Sequence, residues 1–534
     1  MSIVIILLFY LINFGNTMEH CPNICACLVN FVDCSNRSLY RIPQSLPVWV
    51  TNLDLSNNSL KDDEAVKELA AYQNLSKLNL NRNLFSSIPI KFAMRELSSI
   101  SISHNKITNL SIEFWANVPK LTSLDVSHNN ITSITKDSFP QSLPLTSLNL
   151  NNNQIWNISS ACFQSFQHLV HLKLSKNNII NFSKNTFIHL QNLKNLDLNR
   201  NLLKKIDGLT FQGMKKLTSL KIRHNSIYSL QDGSFWGLHS LTTLKLDHNH
   251  IREVSKGWTY GLNKLQELCL ENNNIDVVLE DSWEACKHLI HLDLSNNEIK
   301  EIFTGTFKWL NELEVLELDG NLISSISEGA FNSTPSLKIL NLNRNHISWL
   351  IEDSSGAFLG LRKLQSLGLA YNKITSINKN AFNGLINLVE LDLSDNLIKT
   401  IEENPFYGMP LRMLHVNTSG LVCDCSVSWL NRWLKQTKLT VGHLFCAYPS
   451  SLSGKLITNV QNNQFLCSES ESAKPIITNG PKSVVAVDGS QLNLSCSAWS
   501  TDNSSLEFRW RRNNGDIPDP YKSAVDNNTA YLNI

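Results

Sequence analysis

The chain is 534 residues long, more than one compact domain usually needs, and is therefore multidomain, elongated or both. Its 47 Lys and Arg balance 46 Asp and Glu, leaving a net charge of +1 with no basic run, which excludes the electrostatic footprint of a nucleic-acid binder. The sequence also holds no G-x-x-x-x-G-K-[ST], H-E-x-x-H or G-x-S-x-G, so neither a catalytic residue nor a cofactor is expected.

Residues 1–17 begin MSIVIILLFYLINF, an apolar run short for a bilayer, followed by Gly15, Asn16 and Thr17 with small residues spaced as at a cleavage site. No positive residue precedes the run, yet it reads as a signal peptide and places the mature chain outside the cell. Twelve cysteines, eight of them in two clusters of four, suit an oxidising compartment. Twelve Asn-x-Ser/Thr triplets agree, starting at Asn36, Asn57, Asn74, Asn109, Asn130, Asn157, Asn181, Asn332, Asn417, Asn493, Asn503 and Asn527. No later segment is long and apolar enough to cross a membrane, so the chain as written is expected to be soluble after export.

Residues 18–50 carry Cys21, Cys25, Cys27 and Cys34 in a C-x3-C-x-C-x6-C pattern that matches an N-terminal cap. Over 51–421 the pattern L-x-L-x-x-N recurs at a nearly constant period from LDLSNN at Leu53 to LDLSDN at Leu391. Its asparagines are Asn58, Asn83, Asn105, Asn129, Asn153, Asn177, Asn201, Asn225, Asn249, Asn273, Asn297, Asn321, Asn345, Asn372 and Asn396; a sixteenth turn at Leu414 and Val416 carries Ser419 instead. A short x-L-x-L-x strand cannot bury its leucines alone, so the turns are expected to stack into an α/β leucine-rich-repeat solenoid with a mostly irregular convex side. An inward Asn at each bend would satisfy backbone groups that neither ladder nor water reaches. Further along the turn a Phe returns at Phe139, Phe163, Phe187, Phe211, Phe235, Phe307, Phe331, Phe382 and Phe406, a stack that belongs to the core.

An open solenoid exposes its core at both ends, and residues 422–468 supply the second cap. Cys423, Cys425, Cys446 and Cys467 lie there with SVSWLNRWL, whose Trp429, Leu430, Trp433 and Leu434 mark one face of a short amphipathic helix. From 474 to 534 the repeat gives way to alternating strands: SVVAV, QLNLSCSA around Cys496, LEFRWRR around Trp510, and AYLNI. The Cys-to-Trp spacing fits strands B and C of an all-β immunoglobulin-like sandwich, incomplete here because no second Cys follows Cys496 before Ile534.

The remaining chemistry is sparse. The cap spacings fit no zinc finger, and His168 with His171 and His288 with His291 read as surface histidines, so no metal site is expected. Inside the solenoid, Cys162 and Cys286 take core slots, whereas Cys269, between Leu268 and Leu270, is expected to point outward. Residues flanking the strand leucines should face the concave side, the usual partner surface of repeat proteins. Read in order, Lys173, Lys176, Arg200, Lys221, Arg223, His224, Lys245 and His248 form a mainly basic zone diluted by Asp197 and Asp247. Glu267, Glu271, Asp293, Glu317 and Asp319 form an acidic one. The plainer alternative is scattered solvating charge. Asn57 and Asn417 place triplets on this side only near the ends, and none falls on a strand between Leu172 and Leu391; Asn109, Asn157 and Asn181 instead line one lateral edge. The partners expected are protein ectodomains, with no nucleic acid and no small-molecule substrate.

Three stretches discriminate further: KGWTYGLNKLQEL from Lys256, ISWLIEDSSGAFLGL from Ile347, where the step from Asn345 to Asn372 is the longest between repeat asparagines, and HVNTSGLVCDC from His415. With fifteen turns between two caps, they resemble the leucine-rich repeats and immunoglobulin-like domains family. That resemblance implies single-pass plasma-membrane proteins with three immunoglobulin domains that modulate growth-factor receptor tyrosine kinase and bone morphogenetic protein signalling; the chain departs from it in lacking the later domains, the transmembrane helix and the tail. Adhesion or matrix organisation is the alternative, since this architecture alone does not choose. Four cysteines by themselves allow three pairings. The resemblance implies Cys21 with Cys27, Cys25 with Cys34, Cys423 with Cys446 and Cys425 with Cys467.

Overall fold

The structure, a computed structural model, describes residues 21–466 apart from 62, 161, 349–356 and 438, together with six strands beyond 466. The signal-peptide reading, Cys467, Trp510 and the triplets at Asn503 and Asn527 lie outside the described residues. Two compact units meet in sequence at Leu289 and Ile290.

In the first unit each turn contributes a three-residue strand, and successive strands pair in parallel with leucine on leucine. Leu172 lies against Leu196, Leu196 against Leu220, Leu220 against Leu244 and Leu244 against Leu268. All five are buried, and each bend after the strand tucks a second leucine or isoleucine beneath. The edge that would otherwise be open is covered at the start by the antiparallel pair Ala26–Leu28 and Phe31–Asp33, the latter running parallel to Asn52–Asp54. Disulfides Cys21–Cys27 and Cys25–Cys34 hold that pair. Such an end closure is what a stacked core requires.

The second unit repeats the ladder from His291–Asp293 to Met413–His415 and ends on Thr440–Val441. The long step between Asn345 and Asn372 leaves the register intact, with Leu340 opposite Leu367. In the sixteenth turn, where Ser419 stands in place of the Asn, the neighbouring buried Thr418 hydroxyl donates to the Ile398 carbonyl at 2.8 Å. Cys423 is bonded to Cys446, and Cys425 is also disulfide-bonded. The cap helix is Ser428–Gln436. Trp429 and Leu430 are buried in it, but Trp433 and Leu434 are only half-buried, Trp433 stacking on Phe406 at 5.4 Å. Fully buried Asn431, on the same helix, donates to the Val460 carbonyl at 2.9 Å.

Each unit carries an aromatic stack in its core. Phe163, Phe187, Phe211 and Phe235 follow one another at 5.8, 5.9 and 5.8 Å, and Phe307, Phe331 and Phe358 at 5.9 and 6.4 Å. Where the sequence offers no Phe, Trp115 and Trp283 occupy the slot and Trp258 sits one residue early on a short helix, all three buried. Beyond the second cap, Ile476–Asn479, Asn493–Trp499, Thr529–Asn533 and Lys522–Asp526 form an antiparallel sheet, with Arg511–Arg512 paired to Gly515–Asp516. The two-layer immunoglobulin-like sandwich expected from the sequence is not shown by these strands.

Candidate protein-binding face

The fifteen repeat asparagines are 3–9 % exposed, and each bonds across the bend as the pattern requires. Asn201 is representative: Nδ2 donates to the carbonyls of Leu174 and Leu198 at 2.9 and 3.0 Å, while Oδ1 accepts from the Ile179 amide at 3.1 Å. By contrast, the nine triplet asparagines from Asn36 to Asn417 are all exposed. Buried and glycan-ready asparagines are thus cleanly separated by position in the turn.

These bends impose a second condition that the repeat pattern does not display. The residue immediately before every repeat Asn lies in the left-handed region, with φ between 51° and 67° in all fifteen turns. Only Gly320 is a glycine; Asn, Asp and His, which tolerate this conformation best, fill nine of the others, and Arg, Lys and Tyr fill the rest. Lys176, Arg200, His224 and His248 are such bend residues and not strand residues as the charge map had them. Their backbone continues the ladder, Lys176 N–H donating to Asn199 O and Arg200 N–H to Arg223 O at 2.8 Å.

The strand residues divide into two outward rows. One is His171, Asn195, Ser219, Thr243 and Glu267; the other is Lys173, Asp197, Lys221, Lys245 and Cys269. Lys173 and Lys221 are exposed, half-buried Asp197 stands between them, and neither lysine makes an ion pair with the described residues. Lys245 is different. Its Nζ meets Glu267 Oε1 at 3.0 Å; burial, the largest influence, depresses the ammonium, but the bond and the charge of Glu267 together with the neighbouring Cys269 sulfur outweigh it and hold the pKa above the ordinary value. Arg223 Nε bonds Asp247 Oδ2 at 2.6 Å, a bond that raises the guanidinium pKa, and His248 Nδ1 reaches the same oxygen at 3.1 Å. The Asp247 side chain is only 2 % exposed. Among the described residues the basic zone therefore consists of cations without an ion pair at Lys173, Lys176, Arg200 and Lys221 and of two internally compensated ones, Arg223 and Lys245.

Glu267 and Glu271 close the first unit's face. In the second unit, Asp293 lies opposite Glu317 in register, with Asp319 two residues on. Burial pushes the carboxyls of Glu317 and Asp319 above the usual range, and the charge of Asp293 pushes both further. This cluster is half-buried, not a solvated acidic surface. Cys269, expected outward, is half-buried with Sγ 3.7 Å from Glu267 Oε1, whereas Cys162 and Cys286 are buried and their thiols are pushed up to about 12 by desolvation. Among the described residues no group of three or more His, Cys, Asp or Glu is placed to hold a metal ion, and no helix is long and apolar enough to cross a membrane.

The model of the leucine rich repeat family matches residues 95–142, 144–203, 191–251, 240–299, 287–347 and 362–421. Among curated proteins, leucine-rich repeats and immunoglobulin-like domains protein 3 of Mus musculus is 40 % identical over 104 residues, 19 % of this chain and 9 % of its own length. Adhesion G protein-coupled receptor A3 of Homo sapiens is 34 % identical over 100 residues, again 19 % of this chain and 8 % of its own. The matched stretch thus spans about a tenth of these relatives. Among solved structures, the Toll–Spatzle complex of Drosophila superposes with a TM-score of 0.63 at 20 % identity over 77 % of this chain and 60 % of the other, a likeness of fold. A leucine-rich-repeat protein of Leptospira interrogans gives a TM-score of 0.56 at 25 % identity over 71 % of this chain and 94 % of the other.

Proposed function

The chain belongs to the leucine-rich-repeat family, and from that premise we propose that it is an exported, N-glycosylated binding module whose outward strand rows in the first unit dock a protein ectodomain. The observation that carries this reading is the row Lys173, Asp197, Lys221, exposed cations with a carboxylate between them, on strands free of glycan triplets. Opposed potentials across such a face speed encounter and fix register more than they add affinity. The finer reading, modulation of growth-factor receptor tyrosine kinase or bone morphogenetic protein signalling from the cell surface, with an immunoglobulin-like domain over 474–534, follows the leucine-rich repeats and immunoglobulin-like domains relatives.

The test is a surface plasmon resonance screen of the glycosylated chain against receptor and adhesion ectodomains, followed by charge reversal. Lys221 and Arg223 are the pair that the sequence suggests, but Arg223→Glu would set a carboxylate against buried Asp247 and destabilise the fold. Lys173→Glu with Lys221→Glu avoids this. It should slow association and flatten its salt dependence while the melting temperature holds. Unchanged affinity and salt dependence, with binding abolished by deletion of 474–534, would place recognition downstream of the repeats.

A further inference from the structure

Along the first unit, the left-handed bend residues form a column of their own. From Arg82 to His248 its eight positions hold three permanent cations, four histidines and Asn152, and no carboxylate. Each backbone N–H in the column is tied to the next turn, as in His104 to Ser127 O at 3.1 Å and His224 to Asp247 O at 3.1 Å, so the spacing is that of the ladder. Eight positions about 4.8 Å apart make a ridge roughly 34 Å long. That length suits a macromolecule, not a small anion.

The histidines occur in two neighbouring pairs. His104 and His128 stack with ring centroids 3.9 Å apart at 13°, and His224 and His248 lie 4.1 Å apart at 43°. Both separations are shorter than the ladder step, so the rings lean together. Left-handed geometry explains a short polar residue at the bend, but Asn152 and Asn272 meet that demand without an imidazole. The pairs sit between fixed charges: Arg82 and Asp125 face the first, while Arg200, Arg223 and Asp247 face the second, with Glu271 and Cys269 beyond Arg223. Within each pair one ring, His104 or His224, is held below the ordinary imidazole value, by desolvation first and then by the neighbouring imidazole.

We infer that this column, with its two histidine pairs, docks an acidic protein surface and grips it more tightly as the pH falls from neutral toward about 5.8. The inference rests on the protein-binding reading above. A carboxylate laid over a pair adds counter-charge to that of Asp125 at the first pair and Asp247 at the second, so binding raises the imidazole pKa and takes up a proton. Affinity then increases as pH falls through the complex's pKa and is fully enhanced below that of the free protein. Partner carboxylates, ordinarily near 4, stay ionised throughout this window. A uniform polyanion fits less well, because Asp125, Asp197 and Glu267 stand beside the column and would oppose an unbroken line of negative charge. A polypeptide can leave a gap or place a cation there.

The probes are a synthetic peptide of repeated Glu-Glu-Gly-Lys, long enough to span the column, and, separately, heparin, each titrated against the full glycosylated chain at 0.15 M salt and at pH 7.4 and 5.8. The peptide should bind at least about tenfold more tightly at the lower pH, as expected for uptake of roughly one proton over this interval. His104→Asn with His128→Asn should remove much of that gain with little change at pH 7.4, because Asn already occupies the same bend at Asn152. His248→Asn should remove more. His224→Asn completes an Asn-x-Ser triplet with Asn225 and Ser226, and a glycan there should block the peptide at both pH values. Unaltered melting temperatures keep these comparisons valid, and direct titration of the imidazoles by NMR with and without peptide gives a second readout. A peptide affinity independent of pH, or a gain that survives all three asparagine substitutions, overturns the proposal. So does heparin binding tighter than the peptide with the same loss on substitution, which would assign the column to a sulfated glycan. If the column substitutions have no effect while Lys173→Glu with Lys221→Glu still abolishes ectodomain binding, the protein-binding face stands and only this inference falls.

Discussion

Replacing Asn201 by Ala isolates the work of one bend. Its Nδ2 donates to the carbonyls of Leu174, Leu198 and Asn199. All three keep another donor: Asn177 Nδ2 for Leu174, Asn225 Nδ2 for Leu198 and the Lys176 amide for Asn199. Oδ1 is another matter, since it is the acceptor for the buried Ile179 amide at 3.1 Å. The expected loss is therefore that of one unmet buried N–H, about 1 to 3 kcal/mol, which would speed exchange of the Ile179 amide roughly 5- to 140-fold if it opens locally. Native-state hydrogen exchange reads this directly, and the Leu203 amide, bonded to Asn225 Oδ1 at 3.1 Å, is an internal reference one turn away. Asn201→Asp keeps the shape and the acceptor but turns a carboxylate oxygen toward three carbonyls. Burial and those dipoles raise its folded pKa above the unfolded value, so the penalty is present at neutral pH and shrinks as pH falls through the raised pKa. At pH 7.4 the Asp variant should be less stable than the Ala variant, with the order closing on acidification. Equal protection of Ile179 and Leu203 in Asn201→Ala, or a neutral-pH Asp variant as stable as the wild type, would refute this account of the bend.

A bulky maleimide should label Cys269 in the folded chain while Cys162 and Cys286, buried and with thiols pushed up to about 12, stay protected until denaturation; equal labelling of the three would contradict the assigned repeat register. The carboxyls of Glu317 and Asp319 are raised by burial and by Asp293, so the folded chain favours their protonated forms and bears a penalty at neutral pH that lapses as pH falls through those values. Glu317→Gln with Asp319→Asn should accordingly raise the melting temperature at pH 7 and lose that advantage near pH 4; a lower melting temperature at pH 7 would mean the pair is stabilising instead.

The solenoid was readable because its recurring residues answer a physical demand that recurs with them. A buried bend needs an amide that both donates and accepts, which Asn supplies and the period reveals. The Phe slot was equally plain, yet Trp115 and Trp283 fill it unseen, since a count of Phe at fixed spacing is blind to another large apolar ring. The left-handed position carried a weaker signal, ten of fifteen residues being Asn, Asp, His or Gly, and the eye is drawn past it to the invariant Asn alongside. Asn431 gave no such cue, because its amide serves Ile457 and Val460 in a cap without a repeat.

The charge map failed differently, and the reason is geometric. A sequence lists which residues are charged; a solenoid decides which of them touch, and residues one period apart are neighbours here as surely as residues four apart are on a helix. Arg223 and Asp247 are one full period apart, as are the members of both histidine pairs, while Lys245 and Glu267 fall just short of one. Reading along the chain placed Arg223 and Lys245 among the available cations, whereas reading across it would have set Arg223 on Asp247 and Lys245 on Cys269, two residues past the Glu267 carboxylate that it bonds. The same cross-reading sets both Lys173 and Lys221 one period from Asp197, yet neither forms an ion pair there among the described residues, and both lysines stay exposed. An exposed charge that the fold has not compensated must be met by solvent, ions or a partner, and the strands holding these two carry no glycan triplet to keep a partner away.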